Sequence, residues 1–294
     1  RRLTAGAVTA IAIGVFTALA VAAGAYGQDR ISVERSGDRD GRAVIFVPGL
    51  ATPGAVFEAA AEDLPGADIH RVTLGGFGGA PAPDSVDPFI EPASAALADY
   101  LQTEGLTDVV LVGHSLGGQV ALIAAGQAPD RVADVLLVDS APFFAGLMQP
   151  GVDSAAVTAR RGQMIDRMAG MEREAFLAMM RQGLPAQAKG QQAQDRIYDW
   201  VAASDQGAVA VASAEIFAGD LRTHLDAVEA PVTLVYPLNP MMDPDEVARR
   251  YRAQYERLDH FEMRPVEDSR HFVMLDQPER FAEELARVIE EASK

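Results

Sequence analysis

The sequence predicts an α/β fold: a mostly parallel sheet with helices on both faces and a helical insertion in the middle of the chain. Three observations carry this. From about Asp29 onward, short apolar runs alternate with helical patterns. The runs are apolar at nearly every position rather than at every second one, as expected of strands covered on both faces. Between about Ala141 and Leu221 the alternation stops, and then it resumes. The expected organisation is therefore a separate N-terminal segment (1–28), a first part of the α/β core (29–140), an insertion (141–221) and a second part of the core (222–294).

The elements follow in order. Val44-Ile45-Phe46-Val47 reads as a strand stopped by Pro48-Gly49, with a helix from about Pro53 to Leu64 behind it. His70 to Leu74 is a second strand, closed by a Gly-rich turn (75–79). The stretch Ala80 to Pro92 contains four prolines and reads as a loop, so the Gly-rich turn cannot open the helix that a dinucleotide site needs. A helix from about Ala93 to Glu104 leads to the strand Val109–Val112, a helix from Leu116 to about Ala125, and the strand Val135–Val138. After the insertion come the strand Val232–Tyr236, a helix from about Asp245 to Leu258, and a strand near His260 to Pro265. The terminal helix carries Phe281, Leu285, Val288 and Ile289 on one face.

Composition excludes several functions. A balance of 25 Lys+Arg against 42 Asp+Glu gives a net charge of −17, which repels nucleic acid and anionic lipid. Without cysteine there is no disulfide, thiol redox chemistry or thiolate metal site, and the five scattered histidines give no metal signature. Arg1 and Arg2 precede an uncharged, Ala-rich run from Leu3 to Gln28. That pattern is expected of an export signal or a membrane anchor, which would make the protein periplasmic, extracellular or attached to a membrane through its N-terminus.

The strongest chemical signal is Gly113-His114-Ser115-Leu116-Gly117-Gly118, lying between an apolar strand and a helical pattern. It fits a G-x-S-x-G nucleophile elbow in the context that motif requires. The glycines remove side chains where strand and helix meet in a sharp turn, which leaves the Ser115 hydroxyl exposed. The Leu116 amide, at the helix N-terminus, can then donate to a carbonyl oxygen that is gaining negative charge.

With that motif the chain resembles the α/β-hydrolases and is similar to the esterase and lipase members with a helical cap. Pro48-Gly49-Leu50 resembles the family's oxyanion loop, with Pro48 where histidine is usual, and the resemblance implies Leu50 N–H as a second oxyanion donor. Arg270-His271-Phe272, running on to Asp276-Gln277-Pro278, resembles the family's closing Gly-His-Phe-x-x-x-Glu-x-Pro, with Arg270 and Asp276 as departures. The resemblance implies His271 as the general base that takes the Ser115 proton. It also implies a helical cap over the serine. The insertion holds six of the ten methionines, which would give such a cap deformable apolar walls.

The triad acid stays open among three aspartates. In the family it normally follows the penultimate strand, where Asn239 stands, and asparagine cannot supply the charge. Asp243, slightly later, is the favoured candidate, although Asp243 ahead of Pro244 and Asp245 also reads as a helix cap. Asp139, directly after the strand before the insertion, is the second candidate, and Asp205 in the insertion the third. The implied activity is hydrolysis of a carboxylic ester on a small or medium apolar substrate, with no cofactor. Other reactions of the same fold, such as those of amidases, perhydrolases and lyases, and a non-catalytic binding module are the alternatives.

Overall fold

A computed structural model describes residues 29–292. The N-terminal run expected to be a signal or anchor lies outside the described residues. Among the described residues no helix is long and apolar enough to cross a membrane.

Seven strands form one sheet: β1 (Ile31–Gly37), β2 (Ala43–Val47), β3 (Asp68–Leu74), β4 (Val109–His114), β5 (Val132–Val138), β6 (Val232–Leu238) and β7 (Phe261–Glu267). Their spatial order is β1-β3-β2-β4-β5-β6-β7, parallel except for β1, which runs antiparallel to β3 with Ile31 opposite Leu74. The central strands β2 and β4 are buried at every residue, so their continuous apolar runs follow from having helices on both faces. The order reverses direction between β3 and β4 around β2. Chains leaving β2 and β4 at their C-terminal ends therefore open a crevice there, where α/β sheets place ligands.

The helices are α1 (Glu58–Glu62), α2 (Ile90–Thr103), α3 (Leu116–Gln127), α4 (Phe144–Met148), α5 (Ser154–Thr158), α6 (Arg161–Ala169), α7 (Arg173–Gln187), α8 (Gln191–Ala203), α9 (Gln206–Ala218), α10 (Pro244–Gln254), α11 (Val273–Asp276) and α12 (Pro278–Glu291). Helices α4 to α9 all lie between β5 and β6, with no strand among them. α3 is buried on nearly every side, which suits its small residues and lets it pack closely under the sheet's carboxyl edge. α12 buries Phe281, Leu285 and Val288, each removal from water contributing about 1.5–3 kcal/mol.

Several boundaries differ from expectation: α10 ends at Gln254 rather than Leu258, and β5 begins at Val132 rather than Val135. α2 begins at Ile90, so Pro92 sits in its first turn, where a missing N–H breaks no helical bond. The stretch Pro53 to Leu64 divides into a 3-10 turn (Gly54–Phe57) and the short α1.

Near the β7 edge, Asp134 is buried beside Arg264, and one of its carboxylate oxygens has no hydrogen-bond partner. Arg264 is already paired with Glu262, Glu284 and Glu291. Burial, reinforced by the Glu291 and Glu262 charges, pushes Asp134 up to about 7 from an ordinary 3.8, against the opposing Val135 amide and Arg264. Because the folded value lies above the unfolded one, the native state holds the extra proton between about pH 4 and 7. Stability is therefore lost as pH rises through that window. Asp134→Asn is expected to stabilise the protein by on the order of 2–3 kcal/mol at pH 8 and much less at pH 5, read as the difference in Tm between the two variants at each pH.

Candidate active site

β4 ends at His114 and α3 begins at Leu116, so a single residue turns the chain. That residue is Ser115, held at φ 53° and ψ −120°, a conformation that side chains rarely adopt. The surroundings over-determine it. Ser115 N–H donates to Val138 O at 2.9 Å, and Ser115 O accepts from Ser140 Oγ at 2.7 Å and from Gly118 N at 3.0 Å. The motif glycines are required by contact: a Cβ on Gly117 would lie 2.1 Å from Val47 O, and one on Gly113 2.5 Å from the Gly118 Cα. Strand β2, strand β4 and helix α3 thus meet without room for a methyl group.

Four turns put the remaining groups around Ser115. Leu50 follows β2 and Leu116 opens α3, and both line the same cavity as the serine. Leu116 N–H belongs to the first turn of α3, which has no intrahelical acceptor. Asp139 directly continues β5, its amide bonded to Val235 O at 2.9 Å and its φ at 43°. His271 lies in the loop between β7 and α11.

The structure brings Asp139, not Asp243, to the histidine. His271 Nδ1 and Asp139 Oδ2 are 2.6 Å apart, with the two side chains 24% and 15% exposed. Asp243 instead caps α10, its carboxylate accepting from Asp245 N at 3.0 Å and Glu246 N at 3.3 Å. The expectation that Asp243 serves the histidine is thereby corrected: Pro244 at the first helical position and two acidic residues in the first turn make the segment a helix start. Asn239 turns its Oδ1 to Met241 N within its own loop, and Asp205 caps α9 through Ala208 N.

Two residues missed by sequence reasoning complete the arrangement. Tyr251, on α10, donates its hydroxyl to Asp139 Oδ1, so the two carboxylate oxygens serve different partners. Burial would raise the Asp139 carboxyl, but the His271 charge and the hydrogen bonds from His271 and Tyr251 together hold it below the usual range. His114, the variable residue of the elbow, is fully buried, and burial followed by the nearby His271 pushes it down to about 3. It is therefore neutral. Its Nε2 faces the His271 carbonyl at 3.1 Å, which fixes the proton on Nε2 as donor and ties the histidine loop to the elbow. Tyr251→Phe, which deletes one bond to a buried carboxylate without changing the ring, is expected to lower kcat about tenfold and leave KM nearly unchanged, measured by steady-state kinetics.

The insertion is fastened to the histidine loop. Phe272 N donates to Gln187 O, and Asp276 accepts from Lys189 N on one oxygen and Arg270 N on the other, at 2.8 Å each. Arg270 also donates to Ala188 O at 3.0 Å. The Gly-rich turn is tied to the insertion from the other side, Gly76 O accepting from Asp205 N and Gly78 N donating to Ser204 Oγ. A cavity of about 320 Å³ results, lined at its base by Ser115 and His271 and above by Met168, Met179, Met180, Leu184, Ile216 and Phe217. Three of the six insertion methionines therefore form its wall.

The family model described as "Alpha/beta hydrolase family" matches residues 44–284. Among curated proteins, Lipase LipV of Mycobacterium tuberculosis is 35% identical over 118 residues, 40% of this chain and 44% of that one. The chain thus spans less than half the length of that lipase. The pimeloyl-[acyl-carrier protein] methyl ester esterase of Nitrosomonas europaea is 29% identical over 226 residues, 73% of this chain and 82% of that one. Among solved structures, a thermophilic esterase from Thermogutta terrifontis superimposes with a TM-score of 0.72 at 21% identity, covering 90% of this chain and 94% of that one. An esterase from Exiguobacterium antarcticum gives 0.69 at 23%, covering 88% and 95%. These two likenesses establish the fold.

Proposed function

Because the chain belongs to the alpha/beta hydrolase family, we propose that it hydrolyses carboxylic esters through an acyl-enzyme on Ser115. The observation that carries this is the 2.6 Å contact of His271 Nδ1 with Asp139, at the base of the cavity that Ser115 also lines. With Nδ1 held by the carboxylate, the imidazole keeps Nε2 for the serine proton.

The steps follow from the groups present. Ser115 Oγ adds to the ester carbonyl as its proton passes to His271, and the resulting imidazolium is stabilised by the Asp139 charge. The carbonyl oxygen, now anionic, is held by the Leu116 and Leu50 amides. His271 returns the proton to the leaving alkoxide, so an alcohol departs and an acyl-serine remains. Water then repeats the sequence, releasing a carboxylic acid and restoring Ser115. No cofactor enters this account. Apolar walls rich in methionine suit an uncharged acyl group of small or medium length.

A relative named for ester hydrolysis supports the reaction class, since the matching Nitrosomonas europaea protein is named as a methyl ester esterase. The test is a panel of p-nitrophenyl acetate, butyrate, octanoate and palmitate beside the matching anilides. Turnover of the esters with the palmitate poorest, and anilides slower by at least about a hundredfold, is the expected result. Faster anilide cleavage would make the protein an amidase, and binding without turnover would make it a binding module.

A further inference from the structure

We infer that the face holding the Ser115 cavity seats on a neutral lipid–water surface, from which it draws its ester; this rests on the ester-hydrolase reading above. The described residues include five large apolar side chains that are markedly exposed: Met148, Met179, Phe217, Met241 and Met242, with Met241 93% exposed. All five stand at one place. Met179 and Phe217 line the Ser115 cavity, while Met148, Met241 and Met242 line an adjoining cavity of about 470 Å³. The two cavities share Asp139, Phe144, Leu147, Gln187 and His271 as walls. Scattered apolar residues on a surface need no explanation, but a set confined to the mouth of one site marks an interaction surface.

Charge and chain path select the partner. The adjoining cavity is lined by two arginines, Arg250 and Arg270, against three carboxylates, Asp139, Asp243 and Glu246, so it carries no excess of positive charge. Its cations are engaged, Arg250 with Glu246 and Arg270 with the Pro185 and Ala188 carbonyls. The local excess of carboxylates and the overall charge of −17 both repel anionic headgroups. A zwitterionic or uncharged surface fits. The chain also enters the described structure at this end. β1 is antiparallel, so Asp29 and Arg30 lie beside Gly75, past the carboxyl end of β3, where Gly76 touches the insertion. The uncharged run Leu3 to Gln28 is therefore joined at the same end of the sheet as the apolar rim, across the sheet from the β6–α10 segment that carries Met241 and Met242. Four of the five rim residues are methionines, whose unbranched side chains adapt to a fluid surface rather than to one fixed partner.

The test uses the full chain and a Met148→Ser/Met241→Ser/Met242→Ser variant, so that the N-terminal segment is common to both. Each is assayed on tributyrin dissolved below its solubility limit and on tributyrin carried in vesicles of pure phosphatidylcholine. The variant is expected to match wild type within about twofold on the dissolved ester and to lose about fivefold on vesicles, with a parallel loss in co-sedimentation with them. Vesicles of phosphatidylcholine and phosphatidylglycerol in equal parts are expected to be poorer substrates for wild type. Equal vesicle rates for the two proteins would overturn the inference. So would an unchanged vesicle rate accompanied by loss of self-association in sedimentation, which would assign the rim to a second copy of the chain. Failure of folded wild type to cleave dissolved tributyrin would overturn the ester reading instead, and co-sedimentation alone would then decide the surface.

Discussion

Ser115→Ala is expected to lower kcat on an ester by about 10⁶-fold, and His271→Ala by a similar factor, with the double variant no worse than either single one. In the proposed mechanism the two side chains act as one device: without the hydroxyl there is nothing for the imidazole to deprotonate, and without the imidazole the hydroxyl is a poor nucleophile. The residual rate comes from groups that neither change removes, the Leu50 and Leu116 amides and the cavity walls. KM should change little, because Ser115 contributes one polar atom to a cavity lined largely by apolar side chains. Folding should be kept, since the strained backbone at residue 115 is stabilised by the Val138, Ser140 and Gly118 contacts, which do not use the serine hydroxyl. Steady-state kinetics on the three variants, with a thermal melt of each, checks both parts. A double variant much slower than the singles would mean that serine and histidine act independently.

Asp139→Asn is expected to cost about 10⁴-fold in kcat, whereas Asp243→Asn should stay within about twofold of wild type. The asparagine at 139 keeps the volume but removes the charge that stabilises imidazolium. It also offers an amide that can hold the imidazole in the wrong tautomer. At 243 the side chain caps α10, and asparagine caps a helix as well as aspartate does. Asp243→Ala would lower stability by about 1 kcal/mol without touching the chemistry. The comparison separates the two carboxylates cleanly, because Asp139→Asn lowers kcat with little effect on the melt, whereas Asp243→Ala lowers the melt and leaves kcat. Comparable loss of kcat in both would mean that the α10 cap also serves His271.

The pattern of the fold was legible because its main elements are set by local chemistry. Strands such as Val109–Val112 are apolar throughout, and the elbow glycines announce where β4 must turn into α3. The exception, β1, reads Ile31-Ser32-Val33-Glu34-Arg35-Ser36-Gly37, a half-exposed edge strand without a continuous apolar run. Its partner β3 lies more than thirty positions on, so nothing local marks it. In the site, Ser115, His271, Leu50 and Leu116 sit in motifs whose spacing and context are visible in one dimension. The acid is different. Asp139 and Asp243 both follow strands, and choosing between them depends on which strand end faces the β7–α11 loop. The sequence Asp243-Pro244-Asp245-Glu246 is itself a helix-cap signature, which ties the Asp243 carboxylate to α10 rather than to His271. Tyr251 and His114 were not legible for the same reason. Tyr251 reaches a carboxylate 112 positions earlier, and His114 reaches a carbonyl 157 positions later.

The most direct measurement is the rate at which a fluorophosphonate labels the folded protein, with the modified residue mapped by mass spectrometry. The account predicts a single adduct on Ser115, formed rapidly in wild type and in Asp243→Asn and slowed by orders of magnitude in His271→Ala and Asp139→Asn. No labelling of folded wild type, or rapid labelling that survives Asp139→Asn but is lost in Asp243→Asn, would contradict it.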